Sequence, residues 1–201
     1  MLFRSAGVCA SLCYARVNTY RFPAVLAAHT RNLERVVDDL PGWRDDMVAE
    51  LGARRYRGGK WVRIHDAGDF FSDEYLVAWL EIARAVPDVT FYCYTREVGR
   101  FRRLVEGAAP GNFLWVYSLG EKEDHLVDRE RDRHCDVFPS VEAARAAGYM
   151  PQSEDDRLCV TLPTNRVAVI ANNIPQFRRR QGGETFGGLQ LARGRVEVGG
   201  V

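Results

Sequence analysis

Cys9 and Cys13 stand in the stretch "GVCASLCYAR", with Tyr14, Ala15 and Arg16 directly after the second thiol. Three residues between cysteines and an aromatic after the pair suit a loop wrapped around an iron–sulfur cluster. Thiolates bind iron strongly, and neighbouring backbone N–H groups stabilise the bridging sulfides. A four-iron site needs a third thiolate, and the position three after Cys13 is Arg16. Two buried thiols that happen to be close is the competing reading. The remaining cysteines offer a third: Cys135 with His134, or Cys159, joining Cys9 and Cys13 around a tetrahedral zinc. Cys93 alternates with Phe91 and reads as a small buried apolar residue, and Cys159 can be read in the same way.

A second constellation is "HDAGDFFS". Gly68 lets the backbone approach a ligand, Asp69 offers a carboxylate to an amine or hydroxyl, and His65 lies on the polar face of the strand that leads in. Ser72 is expected to cap the helix that follows. Arg63 and His65, on one face with Trp61, set a cation in a crevice, where it meets either a structural carboxylate or an anionic substrate. Thr95 with Arg96, and Ser118 with Gly120, close the next two strands. In parallel α/β folds the loops after the strands converge on the site, so these positions belong to a common mouth. Arg178, Arg179 and Arg180 after Phe177 fit a phosphate or a solvated turn. His29 is expected to be a core histidine.

The elements that position these residues follow from periodicity. "FPAVLAAHTRNLERVVDDL" carries Val25, Leu26, His29, Leu33, Val36, Val37 and Leu40 at helical steps, and a second helix puts Trp43, Met47, Val48 and Leu51 on one face. "WVRIHDAG", "VTFYCYTR" and "NFLWVYSLG" read as strands separated by helices, the grammar of parallel crossover units. They are expected to be adjacent and parallel in that order. Residues 121–140 read as an exposed charged excursion, "SVEAARAAGYM" as a helix capped by Ser140, "RVAVIANNI" as a late strand, and 178–201 as a turn-rich surface tail. The class is α/β, with mostly parallel strands in one domain over 1–201.

The 201 residues are 46% apolar and 11% aromatic, enough for a core. Lys plus Arg number 28 against 27 for Asp plus Glu, so net charge gives no case for a nucleic-acid or membrane partner. No apolar run approaches the ~20 residues of a membrane span and no leader is evident, which predicts a cytoplasmic protein. A cysteine loop this close to Met1 predicts a chain that lacks its natural beginning.

"CASLCYAR…TYRFPAV", "RIHDAGDFFSDEYLVAWLEIARAVPDVTFYCYTR" and "NFLWVYSLG", continuing through "RVAVIANNIPQFRRRQGG", together resemble the gene product 88 family of actinobacterial phages and their hosts, which is similar to radical S-adenosylmethionine enzymes. The resemblance implies a partial (β/α) barrel, a [4Fe-4S] cluster, S-adenosylmethionine and an unknown substrate. Cys9 and Cys13 would be cluster thiolates, Gly68 and Asp69 would hold the methionine amino group, His65 would stand beside them, and Ser118 would face the sugar or carboxylate. The family pattern places a further cysteine upstream, which this chain lacks. The reduced cluster would cleave the sulfonium to a 5′-deoxyadenosyl radical that abstracts a substrate hydrogen, with the protein positioning the reactants. Two other readings stand beside it: a zinc-stapled phage protein that binds nucleic acid, and a cofactor-free interaction module.

Overall fold

The computed structural model describes residues 7–198. In chain order the elements are α1 (Val8–Ser11), α2 (Pro23–Asp38), α3 (Leu40–Leu51), β1 (Lys60–Ile64), α4 (Asp73–Ala85), β2 (Val89–Thr95), α5 (Val98–Leu104) and β3 (Phe113–Ser118). They continue with β4 (His134–Phe138), α6 (Val141–Ala146), β5 (Met150–Pro151), α7 (Leu158–Thr161), β6 (Arg166–Ile170), α8 (Pro175–Gln181) and α9 (Phe186–Val198). The six strands form an all-parallel sheet in the order β1-β2-β3-β4-β6-β5. The α/β class and the adjacency of the first three strands are as expected. The last two strands are not in sequence order, because β6 enters between β4 and β5.

The chain divides into two compact units. The first comprises residues 13–93 and 100–114; the second comprises 7–12, 94–99 and 115–198 among the described residues.

In the first unit, β1 pairs β2 from Lys60↔Val89 to Ile64↔Cys93. Phe91 and Cys93 are fully buried, as are Leu76, Ile82 and Phe101. The near-continuous burial of β2 is what a strand covered on both faces requires. Ser72 caps α4 as expected, its Oγ accepting from the Tyr75 amide at 3.1 Å, while Asp73 and Glu74 face the positive end of the helix dipole. Trp79 of α4 meets Phe91 edge-on at 6.1 Å. The amphipathic stripe of α2 forms but does not go inward: Leu26 is 58% exposed and Val37 59%, and only Val36 of that set is buried. Exposed ion pairs flank the helix. Arg35 bridges Asp39 at 2.7 Å and Asp46 of α3 at 2.8 Å. His29, expected in the core, is exposed and stacks on Tyr20 at 5.7 Å.

In the second unit the charged excursion expected over 121–140 gives way at His134 to β4, whose His134 and Cys135 are fully buried. Its polar groups are answered across the fold. His134 sets Nδ1 on the Asp132 carbonyl and Nε2 on the Tyr149 hydroxyl, both at 2.9 Å, and Asp136 Oδ1 accepts from Gly187 N at 2.9 Å. Ser140 caps α6 as expected, and Phe138, Ala144 and Ala168 form the apolar cluster behind it. The tail expected at 178–201 is helical through α8 and α9, with Gln181 and Phe186 buried; residues 199–201 lie outside the described residues. Gly182 ends α8 in the left-handed conformation at φ 61°, which explains why the glycine pair looks like a turn in the sequence. Arg178 sits on α8 and donates to Asn173 Oδ1 at 2.9 Å and to the Pro139 carbonyl at 3.1 Å, so it braces the fold.

Candidate functional site

The loop after β1 belongs wholly to the first unit. β1 ends at Ile64, and His65 departs from strand geometry with φ 60°, in the left-handed region that costs a β-carbon residue about 1–2 kcal/mol. The alternation expected through Arg63 and His65 therefore breaks. Arg63 stays exposed, while the imidazole folds inward against Phe70 at 4.8 Å and Tyr75 at 5.6 Å between ring centroids. Its Nε2 lies 2.9 Å from the Tyr75 hydroxyl, and its buried Nδ1 has no hydrogen-bond partner among the described residues. Burial pushes the imidazole down to about 4, so it is neutral at physiological pH.

Gly68 follows at φ 100°, a conformation that favours glycine and turns the chain back toward the sheet. Asp69 is only 7% exposed, and its Oδ1 accepts from the Phe70 amide at 2.8 Å. It does not cap α4, since Ser72 does. Two tyrosines from the segment after Cys13 close on this loop: Tyr14 donates its hydroxyl proton to the Asp66 carbonyl, and Tyr20 to the Asp66 carboxylate. The two rings meet edge-on at 5.7 Å. These clamp residues were missed as functional in the sequence. The signal available was the tyrosine directly after the second cysteine of the pair.

The second unit carries its own turn, after β3. Ser118 is buried, pairs in register with Cys135, and its side chain bears on that thiol. The Gly120 and Glu121 amides donate to Asp124 at 2.8 and 3.0 Å. Glu121 accepts from Gly7 N and stands 3.7 Å from Arg96 Nε. Val8 N donates to Gln190 Oε1 at 3.0 Å, and Cys9 N to the Gly120 carbonyl at 3.3 Å. The backbone of Cys9 is thus fixed at the carboxyl end of β3.

A third thiolate for an iron–sulfur cluster is not found among the other cysteines. Cys93, Cys135 and Cys159 are fully buried, and burial pushes the Cys135 thiol up to about 12, so it keeps its proton at neutral pH. Among the described residues no group of three or more His, Cys, Asp or Glu side chains could hold a metal. Of the residues expected to join Cys9 and Cys13 around zinc, His134 already has both ring nitrogens engaged. The residues present do not by themselves complete the cluster that the family resemblance implies.

The model of the family described as Gene product 88 matches residues 3–195. This chain belongs to the gene product 88 family. Over 94 residues, 44% of the chain, it is 38% identical to the Gene 88 protein of Mycobacterium phage L5 and 34% identical to that of Mycobacterium phage D29. The chain spans about 39% of the length of these curated relatives. No solved structure shows a significant match. Within this gene product 88 chain no helix among the described residues is long and apolar enough to cross a membrane.

Proposed function

We propose that this gene product 88 member binds S-adenosylmethionine at the loop after β1, as a radical S-adenosylmethionine-like protein on a barrel-like α/β scaffold. The observation that carries the reading is Asp69, a buried carboxylate at the carboxyl end of a parallel strand whose capping duty is filled by Ser72. Loops at that end are where parallel α/β sheets hold ligands. A buried carboxylate has the right chemistry for an ammonium group, since a charge-assisted hydrogen bond is worth most where water is excluded. His65 supports the same loop: strained residues in buried surroundings gather at ligand clamps.

Cys9 and Cys13 are the two positions at which an iron–sulfur site would be anchored, and its third ligand would come from outside Cys93, Cys135 and Cys159. The test is calorimetric titration of S-adenosylmethionine into anaerobically reconstituted protein, beside iron and sulfide analysis of the same sample. Saturable heat is expected. A flat titration overturns the ligand reading and leaves a cofactor-free interaction module as the better account. Saturable heat without iron keeps the ligand and removes the cluster.

A further inference from the structure

A groove of about 740 Å³ lies wholly in the second unit, between the turn after β3 and α9. That volume is in the range of small-molecule sites, ~300–1,000 Å³. Gly187, Gln190, Leu191 and Gly194 line it at helical steps, so a single face of α9 forms one wall. The two glycines leave that wall without side chains at both ends, and Leu191, 58% exposed, projects between them. Val127 adds apolar surface from the turn.

The charges of this groove are unevenly committed. Its carboxylates already have partners: Glu121 accepts from Gly7 N and neighbours Arg96, while Asp124 accepts from the Gly120 and Glu121 amides. Its cations are held more loosely. Arg129 is exposed and lies in the field of Asp124 and Asp136 without a close ion pair among the described residues, and exposed Lys122 pairs with no carboxylate among them; His125 sets Nδ1 on the Lys122 carbonyl at 2.9 Å. An apolar wall opposite two exposed cations suits an anion with an apolar body.

We propose that this groove is a binding site for a small amphipathic anion, with its apolar body against Val127 and Leu191 and a single carboxylate, sulfonate or phosphate beside Lys122 and Arg129. The site is separate from the loop after β1 and stands or falls independently of S-adenosylmethionine binding. It touches Glu121 and Gln190, the two side chains that hold the first amides of α1, so its occupant would bear on the anchor of the Cys9 loop.

The test uses two fluorescent probes of nearly the same shape, 8-anilinonaphthalene-1-sulfonate and the uncharged N-phenyl-1-naphthylamine, titrated into the full chain. The sulfonate is expected to bind at one site per chain, about tenfold tighter than its neutral analogue, with an advantage that fades as salt is raised. A β-carbon at Gly194 meets nothing within 4 Å, so Gly194→Trp is expected to fold and to fill the groove, weakening both probes at least about tenfold. Lys122→Glu with Arg129→Glu is expected to weaken the sulfonate alone. Equal affinity for the two probes overturns the proposal. So does unchanged binding by a Gly194→Trp protein with native circular dichroism; should that variant not fold, unchanged sulfonate binding by the charge variant does the same.

Discussion

After β3, the turn is reciprocated almost atom for atom: Glu121, Glu123 and Asp124 each accept from a backbone amide, those of Gly7, Gly99, and Gly120 with Glu121. After β1, the loop keeps a residue in a strained conformation, with a buried ring nitrogen that has no hydrogen-bond partner among the described residues, beside the buried carboxylate of Asp69. Both loops end parallel strands, yet the turn after β3 commits its carboxylates to backbone amides, whereas the loop after β1 takes the Tyr14 and Tyr20 hydroxyls on Asp66 and still keeps His65 Nδ1 unbonded among the described residues. An unmade buried hydrogen bond and a left-handed backbone are each costly. A loop that retains both is marked for ligand chemistry, whereas the turn after β3 has its carboxylates committed to the backbone and leaves only its exposed cations to the groove beside it.

The sharpest way to break this contrast is at Gly120. Its φ is +112°, and a β-carbon there would lie 2.8 Å from the Phe186 β-carbon. Gly120→Ala is expected to cost about 4 kcal/mol, from backbone strain plus overpacking, read as a lower urea midpoint. A loss under 1 kcal/mol would show that the turn is pliable and not a scaffold.

His65 offers the next effect. Its folded value near 4 lies below the ordinary value of about 6.5, so the unfolded chain takes up the proton first. Stability is then complete above about pH 6.5 and falls as pH drops toward 4, by up to about 3 kcal/mol. Buried His134 is shifted in the same direction, so the comparison is with a His65→Gln variant. Urea midpoints at pH 7 and 4.5 should converge less steeply for the variant, and identical acid slopes would return His65 to the surface.

Asp69 and Ser72 separate ligand from scaffold within one loop. Asp69→Ala is expected to weaken S-adenosylmethionine by tenfold to a hundredfold, about 1.5–3 kcal/mol, with an unchanged melting temperature. Ser72→Ala should do the reverse, removing about 1 kcal/mol of stability and leaving affinity intact. If the two variants behave alike, Asp69 is structural.

Much of this was legible in the sequence. β2 and β3 are runs of β-branched and aromatic residues flanked by turn signals, and their parallel order followed from the helices between them. The position of Asp69 and the cap at Ser72 were legible for the same reason, since both lie in a short, patterned stretch. β4 was not legible, because "HCDVF" shows polar residues at buried positions. The groups that satisfy them, Tyr149 and Gly187, are brought in only by the folded chain. The inward turn of His65 was equally hidden: no glycine or asparagine announces its positive φ. The stripe on α2 is legible as a pattern, but the exposure of His29 on it is not, since periodicity states which residues share a face and not what that face meets.

The insertion of β6 between β4 and β5 sets an order of assembly. β4 and β6 pair over five residues, His134↔Arg166 to Phe138↔Ile170, whereas β5 contributes only Met150↔Val167 and Pro151↔Ala168. β5 has no partner strand until β6 has docked, although it is made earlier in the chain. Pro151 also has no amide to offer a further strand, which suits an edge. The Gln152 amide, bonded to the Ala168 carbonyl at 3.1 Å, should therefore exchange its proton with solvent well before the amides of β4. In kinetic terms this rim is expected to close after the β4–β6 ladder and to open before it.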